Sequence, residues 1–359
     1  MIRLPMILAV AGAEMRSTRR LFRYWLFTIL VVLISTALFA QYTVIHGMAS
    51  YQSATLGAMS PRLLISGIGV FNIFVFVTGL IFLAFEVRAR DERDRMTEIL
   101  DSRPLSNIEL ILGKVGGIVF MVWLPLVLIT CCFQLFGTVA HLIELPVGDT
   151  IELWSLAGFW FTALTSLVLW CSAVVLIAVV IRHRLLVAII AFGLVALQVW
   201  TTFNMPVFLQ PVVTIMPVFG YTSDILPQAI PDGEGVRILA HWILAGALLS
   251  FAIALHPRRD GQSFGLASGL GLFVISGVLL GYYSYQHLAQ VDQIDLWRAA
   301  HEAKKAQPIG DMQSLSGTVT FVRGDEIRLD LDIEVQSPQG TSLPTLLFTL
   351  NPGIEVTEL

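Results

Sequence analysis

The sequence predicts an all-α membrane protein with about seven transmembrane helices and a small β-rich tail. Hydrophobic residues make up 56% of its 359 residues and charged residues only 13%. Each of seven apolar segments is long enough to cross a hydrocarbon layer about 30 Å thick. Near the end of the chain, apolar and polar residues alternate instead, as they do in strands. The apolar segments are residues 24–45, 64–85, 112–136, 155–181, 185–203, 237–255 and 264–286.

The distribution of lysine and arginine predicts the orientation of these spans. With the N-terminus in the cytoplasm, 15 basic residues lie in the cytoplasmic segments, and the outer loops hold two, Arg62 and Arg237. Short cytoplasmic loops are enriched in basic residues. We therefore expect a multi-pass protein of the cell (inner) membrane whose tail, after seven spans, is extracytoplasmic.

Two segments outside the spans have unusual compositions. Residues 1–23 carry an apolar patch with basic residues beyond it, and we predict that Met6 to Arg23 form a cytoplasmic amphipathic helix at the membrane interface rather than a signal peptide. Residues 204–236 contain five prolines among apolar residues, which excludes a full span. We predict short re-entrant or interfacial helices there, and the alternative is an ordinary outer loop.

The seventh span, residues 264–286, contains four glycines separated by multiples of four residues. Two GxxxG units of this kind let another helix approach closely, so we predict a packing or dimerisation role. The alternative is that they reflect only the general abundance of glycine in transmembrane helices. The four residues are Gly265, Gly269, Gly277 and Gly281.

The last segment, residues 287–359, changes character. A helical stretch starting at Val291 is followed by residues 326–337, in which apolar and charged side chains alternate strictly. Period two predicts a half-buried strand. The neighbouring stretches GTVTFVR, PTLLFTL and GIEVTEL predict three more. Four short strands make little core alone, so we expect either a continuing chain or a sheet completed by a partner.

Motifs for catalysis are missing from the sequence. Gly113-Lys114 is followed by Val115 and does not form a phosphate-binding GK[ST] loop, and HEAKK at His301–Lys305 has a lysine in place of the second histidine of a zinc-protease motif. The seven histidines are scattered. We expect no catalytic residue, metal site or cofactor in this chain, and no nucleic-acid partner.

The most unusual stretch is FEVRARDERDRMTEILDSRPLS, residues 85–106, which holds eleven charged residues of both signs in 22 positions. We predict a helix over residues 86–100 that stops at Pro104, with Ser106 capping a second helix that runs into the third span. Such a short helix would lie across the cytoplasmic membrane surface. It could offer its charged face to a soluble partner as a docking site, and the alternative is a solvated segment that only keeps the loop out of the bilayer.

These residues resemble the cytoplasmic segment of ABC-2 type transporter permeases, in which a charged run precedes Thr-x-x-x-Leu, a proline turn and LGK. The similarity in layout covers about residues 1–257. It implies a six-span core over residues 24–257, with a coupling segment at 86–114 and the outer re-entrant segment. The matching residues are Glu92, Arg93, Thr97, Glu98, Leu100, Pro104, Ser106, Leu112, Gly113 and Lys114.

The resemblance implies that the chain is the permease subunit of an ATP-driven transporter, favoured here as an exporter. ATP and magnesium would be bound by a separate cytoplasmic ATPase subunit, and a second permease copy or homologous half would complete the complex among membrane lipids. The charged helix would then be the coupling helix. Its implied ATPase-coupling residues are Glu92, Arg93, Arg95, Thr97, Glu98, Leu100, Arg103 and Pro104.

The seventh span and the tail depart from this pattern. They resemble the branch of ABC-2 permeases associated with multicopper-enzyme maturation and gliding motility, some of which are fused to an M1-aminopeptidase-like region. That region's zinc motif would lie beyond Leu359, so no peptidase activity is expected in this chain. The alternatives are a membrane anchor for an extracytoplasmic peptidase-like or assembly domain, and a regulator that binds an ATPase without transport.

Overall fold

The structure, a computed structural model, describes most of the chain outside two long segments, residues 53–73 and 86–104, and a third between the fifth and sixth predicted spans. The described residues are 3–52, 74–85, 105–144, 153–181, 183–206, 208–209, 212, 233–256, 263–305, 307, 310–322, 326–337 and 355–357.

The described chain is helical up to a short sheet near its end. The helices are α1 (Leu4–Arg19), α2 (Phe22–Gln52), α3 (Phe74–Ala84), α4 (Asn107–Leu142), α5 (Leu153–Val180), α6 (Arg184–Asn204), α7 (Glu234–Leu255) and α8 (Ser263–Lys304). Strands β1 (Asp311–Val322) and β2 (Glu326–Gln336) follow.

The predicted fold class, a membrane all-α protein with a small β tail, is confirmed. Six of the described helices are long and apolar enough to cross a membrane, namely α2, α4, α5, α6, α7 and α8. The shorter apolar helix α3 lies within the second predicted span. The remainder of that span falls outside the described residues, so the count of seven stays a prediction.

Helix α4 joins two predicted elements into one. The cytoplasmic helix predicted after Ser106 and the third span form a single helix of 36 residues, with Pro125 inside it. At 1.5 Å per residue this helix is about 54 Å long, well beyond the hydrocarbon thickness. The first turn after Ser106 and the third span are therefore parts of one continuous helix.

The core lies where α3, α4 and α5 meet. Their facing side chains are large, apolar and fully enclosed, among them Leu80, Ile118, Leu167 and Trp170. By contrast, α2 and α6 expose apolar side chains such as Leu33 and Ile189. In a helical membrane protein an exposed apolar face is the face that lipid covers.

The short connections follow from local sequence. Helix α5 ends at Val180 and α6 begins at Arg184, as the tight hairpin at Arg-His-Arg predicts. Helix α1 begins at Leu4, with a proline in its first turn, and ends at Arg19, earlier than the predicted Arg23. Proline is favoured at this position because its missing N–H has no partner there in any helix.

Residues Met1–Ser284 and Tyr285–Leu359 form two compact units. In the second, β1 and β2 pair antiparallel over almost their full length, which confirms the two strands predicted from GTVTFVR and the alternating stretch. Leu315 pairs with Ile333 and Val319 with Leu329, so one face of the hairpin is apolar. The predicted helix before the hairpin is continuous with the last span in α8, which has 42 residues.

Other predicted tail and outer elements are only partly covered. Of the two further predicted strands, the structure describes residues 355–357 alone, and these are in no strand. A strand needs a neighbour to satisfy its backbone groups, and none of the described residues pairs with them. Most of the re-entrant segment, 204–236, also lies outside the described residues and stays a prediction.

The orientation of the chain can be tested with topology reporters. We expect a reporter fused after Gln286 to show an extracytoplasmic location. The reason is that the 15 basic residues of the short segments favour the cytoplasm for those segments, which places the end of the seventh span on the opposite side. A fusion after Arg20 is the matched control and should report the cytoplasm. Cytoplasmic activity at both positions would contradict the seven-span topology.

Candidate functional site: the junction of α1 and α4

The first turn of α4 is closed by a reciprocal pair of hydrogen bonds. The backbone N–H of Glu109 donates to Oγ of Ser106 at 3.2 Å, and the backbone N–H of Ser106 donates to Oε2 of Glu109 at 3.0 Å. This is a capping box, which satisfies backbone donors that a helix start leaves open. The predicted cap at Ser106 is confirmed.

The same carboxylate also holds the N-terminus of the chain. Arg3 donates from its backbone N–H and from Nε to Oε1 of Glu109, at 2.9 and 3.0 Å, and from Nη2 to Oε2 at 3.1 Å. Glu109 is 1% exposed and Arg3 46% exposed. Both carboxylate oxygens are therefore occupied, and the forked contact fixes direction as well as distance.

These hydrogen bonds also affect the pKa of the Arg3 guanidinium. Hydrogen bonding to the Glu109 carboxylate raises the pKa of the Arg3 guanidinium above its already high value. Arginine is charged over the whole physiological range in any case, and the hydrogen bonds stabilise that charged form further.

Two glycines bring the backbones of α1 and α4 together. A Cβ on Gly113 would lie 2.6 Å from Cβ of Val10, and a Cβ on Gly117 would lie 2.8 Å from the carbonyl oxygen of Ala11. Real Cβ atoms do not approach other atoms so closely. The four-residue spacing places both glycines on the face of α4 that receives α1, so the contact depends on their having no side chain.

Polar side chains are enclosed in the same contact. Glu14 and Thr18 of α1 and Lys114 of α4 are all buried. Each of the two charged residues has an interaction partner. By contrast, Leu4 and Leu8 point away from α4 and are exposed. Helix α1 thus has an apolar outer face and a mixed face against α4, as an interfacial helix packed on a bundle requires.

The start of α2 contacts the chain just before residues 86–104. The Arg23 guanidinium carbon lies 5.3 Å from the centre of the Phe85 ring, within the range of a cation–π interaction. Phe85 follows the last residue of α3, and Leu105, which precedes α4, is buried. Residues 3–23 therefore contact the chain on both sides of residues 86–104.

The predicted coupling residues themselves lie outside the described residues. They are Glu92, Arg93, Arg95, Thr97, Glu98, Leu100, Arg103 and Pro104. Their assignment stays a prediction, and the structure describes only the frame that holds the two ends of their segment.

The four glycines predicted to form one packing face of α8 have different surroundings. Gly265 and Gly269 lie against α7, where an added Cβ would be 3.0 Å from Cβ of Ala254 and 2.8 Å from the Phe251 ring. Gly277 and Gly281 have no described atom within 4 Å of such a Cβ. Each four-residue step turns 40° beyond a full helical turn, so the glycine stripe winds away from α7.

Sequence reasoning missed Arg3, Glu109 and Gly117. A serine at 106 with a glutamate three residues later is a capping-box signature, and Gly113 with Gly117 is a GxxxG spacing. Both signals were present, but only the structure identifies α1 as the partner. In the described part of the chain, no three His, Cys, Asp or Glu side chains are placed to hold a metal ion.

Comparison with known proteins agrees with this architecture. The profile of the ABC-2 family transporter proteins matches residues 8–221, which is more than half of the chain. The chain belongs to the ABC-2 transporter family. The match covers α1 from residue 8 onward, residues 86–104 and α4, and it ends before α7 begins. No curated protein matches the chain.

Membership in this family makes the chain a multi-pass transmembrane permease component. Such permeases are the non-catalytic membrane part of their transporters and typically pair with an ATPase subunit. In this permease the junction of α1 and α4 lies directly after the segment that resembles a coupling helix.

The glycine contact gives a direct test of the junction. Gly113→Ala should lower the unfolding free energy by about 1–3 kcal/mol, because a methyl group must displace the α1 backbone. Gly116→Ala is the matched control, since no described atom lies within 4 Å of its Cβ position. Alanine should be neutral or stabilising there. Thermal unfolding of the purified variants measures both, and equal losses would contradict the contact.

The Glu109 contact can be tested separately. Glu109→Gln places an amide opposite the donors of Arg3 and removes the charge, so the amides of α1 should exchange hydrogen faster than in the wild-type protein. Mass spectrometry locates the change. Asp295→Asn removes another carboxylate–arginine pair, one exposed to solvent on both sides, and should change nothing in α1. Unchanged exchange in α1 would show that Arg3 and Glu109 do not hold it.

Proposed function

We propose that the chain is the permease subunit of an ATP-driven exporter and couples to separate cytoplasmic ATPase subunits through residues 86–104. The observation that supports this most directly is the frame around that segment. Its downstream flank begins α4 and is tied to Arg3 by Glu109, and its upstream flank contacts Arg23 through Phe85.

The proposed mechanism is mechanical. ATP-driven closure of the ATPase subunits displaces the charged helix at the membrane surface, and α4 carries that displacement into the bundle because it is one continuous helix. Helix α1 moves with it, since the Arg3–Glu109 contact and the glycine packing join the two. Charges on the coupling helix, such as Arg93 and Glu98, set the register of docking.

In this proposal two permease copies, or this chain and a homologous half, enclose the transport path. The N-terminus is cytoplasmic in the inner membrane. ATP and magnesium are bound by the ATPase partner. The two conformations of the complex bind ATP with different affinities. Binding and hydrolysis of ATP therefore shift the complex between them, which gives alternating access. The aromatic and aliphatic spans, with few charges in their sequences, favour a lipidic or peptide-like cargo over a small ion.

The decisive test is cross-linking from a photoreactive residue introduced at Thr97 in native membranes. We expect an ABC ATPase in the adduct when it is analysed by mass spectrometry. Recovery of no ATPase from correctly folded protein would leave the membrane-anchor alternative as the better account. In that alternative the exposed apolar face of the β1–β2 hairpin, including Leu315 and Leu331, packs against further extracytoplasmic structure.

A second measurement asks whether the charges are required. Replacing Arg93, Arg95 and Glu98 together by alanine should abolish co-purification of the ATPase without changing thermal stability. Replacing Arg258 and Arg259 by alanine also removes basic residues from the predicted cytoplasmic side, so it is the matched control and should leave the complex intact. Equal recovery of ATPase with both variants would exclude a docking role for the three residues.

A further inference from the structure

A second buried polar cluster lies at the start of α7, beyond the end of the family match at residue 221. Nε of Arg237 donates a hydrogen bond of 2.8 Å to Oε2 of Glu234, and Nη2 of Arg237 donates to Oε1. Arg237 is 2% exposed, and Glu234 is buried as well. A charged pair enclosed in a candidate membrane span has a large desolvation cost and marks a site of functional interest.

Nη1, the remaining nitrogen of this guanidinium, is buried and forms no hydrogen bond with any residue that the structure describes. Among the buried side-chain nitrogen and oxygen atoms of the described residues that lack a hydrogen bond, it alone belongs to a charged group. Leaving such a donor without an acceptor is costly, and the Glu234 carboxylate is already occupied by the other two nitrogens.

The helix start adds to the positive character of this place. Helix α7 begins at Glu234 after Gly233, whose φ of 79° is in the left-handed region that favours glycine. No side chain caps this start. The backbone N–H groups of a helix start carry partial positive charge and attract anions.

Neutral polar groups surround the pair. Tyr283 of α8 is buried and lies within electrostatic range of Glu234, and His241 lies one helical turn after Arg237 and is buried. Nearby, Oγ of Ser276 donates to the Ala240 carbonyl at 2.9 Å. These contacts hold α8 against α7 around the pair, while Leu239 and Tyr282 on the same helices are exposed as lipid-facing side chains are.

We propose that Arg237 and the start of α7 bind an anionic oxygen, of a phosphate or carboxylate group, on the cargo of the transporter. The Nη1 group would donate to that oxygen, and Glu234 would hold the guanidinium in place. Because Arg237 is enclosed in this structure, binding requires a conformation in which the α7 start is open. An alternating-access transporter has two conformations, so the start of α7 can be enclosed in one and open in the other.

The binding test uses the purified permease alone. That the ligand is cargo rests on the proposed function, but binding itself does not involve the ATPase. Failure of the Thr97 cross-link and failure of this site are therefore distinguishable. The probes are monododecyl phosphate and inorganic phosphate, titrated onto protein in dodecyl maltoside and observed by native mass spectrometry.

The variants give changes of opposite sign. We expect Arg237→Gln to weaken binding at least about tenfold, because the charge-assisted hydrogen bond is lost. Glu234→Gln keeps a side-chain oxygen that accepts from Arg237 and so still holds the guanidinium, but it removes a carboxylate charge that repels the anion. It should therefore strengthen binding about threefold or more. Ser276→Ala is the matched control, since it removes only the hydrogen bond to Ala240, and should leave affinity unchanged.

Each outcome decides the proposal. Binding of monododecyl phosphate alone, with this pattern of variants, supports a site for an anionic amphiphile, and equal binding of inorganic phosphate supports a site for a soluble anion. Absence of binding, or equal affinity in all variants, overturns the site. If Arg237→Gln does not fold, Arg237→Lys keeps the charge but lacks the planar fork that pairs with Glu234 and reaches the anion at the same time, so it should also weaken binding. If neither folds, the absence of tighter binding in Glu234→Gln overturns the proposal.

Discussion

The organisation of the α1–α4 junction depends on the carboxylate of Glu109. Its two oxygens accept hydrogen bonds from Ser106, which closes the first turn of α4, and from Arg3, which precedes α1. One side chain therefore performs a local task within its own helix and a long-range task across more than a hundred residues of sequence. Since both tasks use the same charge, the start of α4 and the position of α1 are set together.

Much of the fold could be predicted because membrane crossing requires long apolar segments, and a hairpin strand requires strict alternation. The predictions located α2, α4 and the strand β2 well. The extent of single helices was less predictable: the span and the tail helix in α8 are one element, because no proline or cap separates Gln286 from Val291. Hydropathy changes along a helix without ending it.

The candidate site was predicted only in part, for a physical reason. The charged segment of residues 86–104 is conspicuous in the sequence because charge is rare in the apolar spans on either side of it. The contacts that hold its flanks involve Arg3, Gly113 and Gly117, which look ordinary in sequence since their role depends on a partner far along the chain. Arg237 was likewise counted among the charges of the outer loops, and its burial beside Glu234 in α7 is visible only in the structure.

The contact of residues 3–23 with both flanks of the charged segment has a consequence for the specificity of assembly. In the proposed complex, the surface that the ATPase meets is built from two separated stretches of sequence, so a permease chimera that exchanges residues 86–104 alone would carry a foreign segment on a native frame. Compatible exchange would include the first 23 residues and the first turns of α4 as one discontinuous cassette. Related permeases that recognise different ATPases should then differ in these stretches jointly.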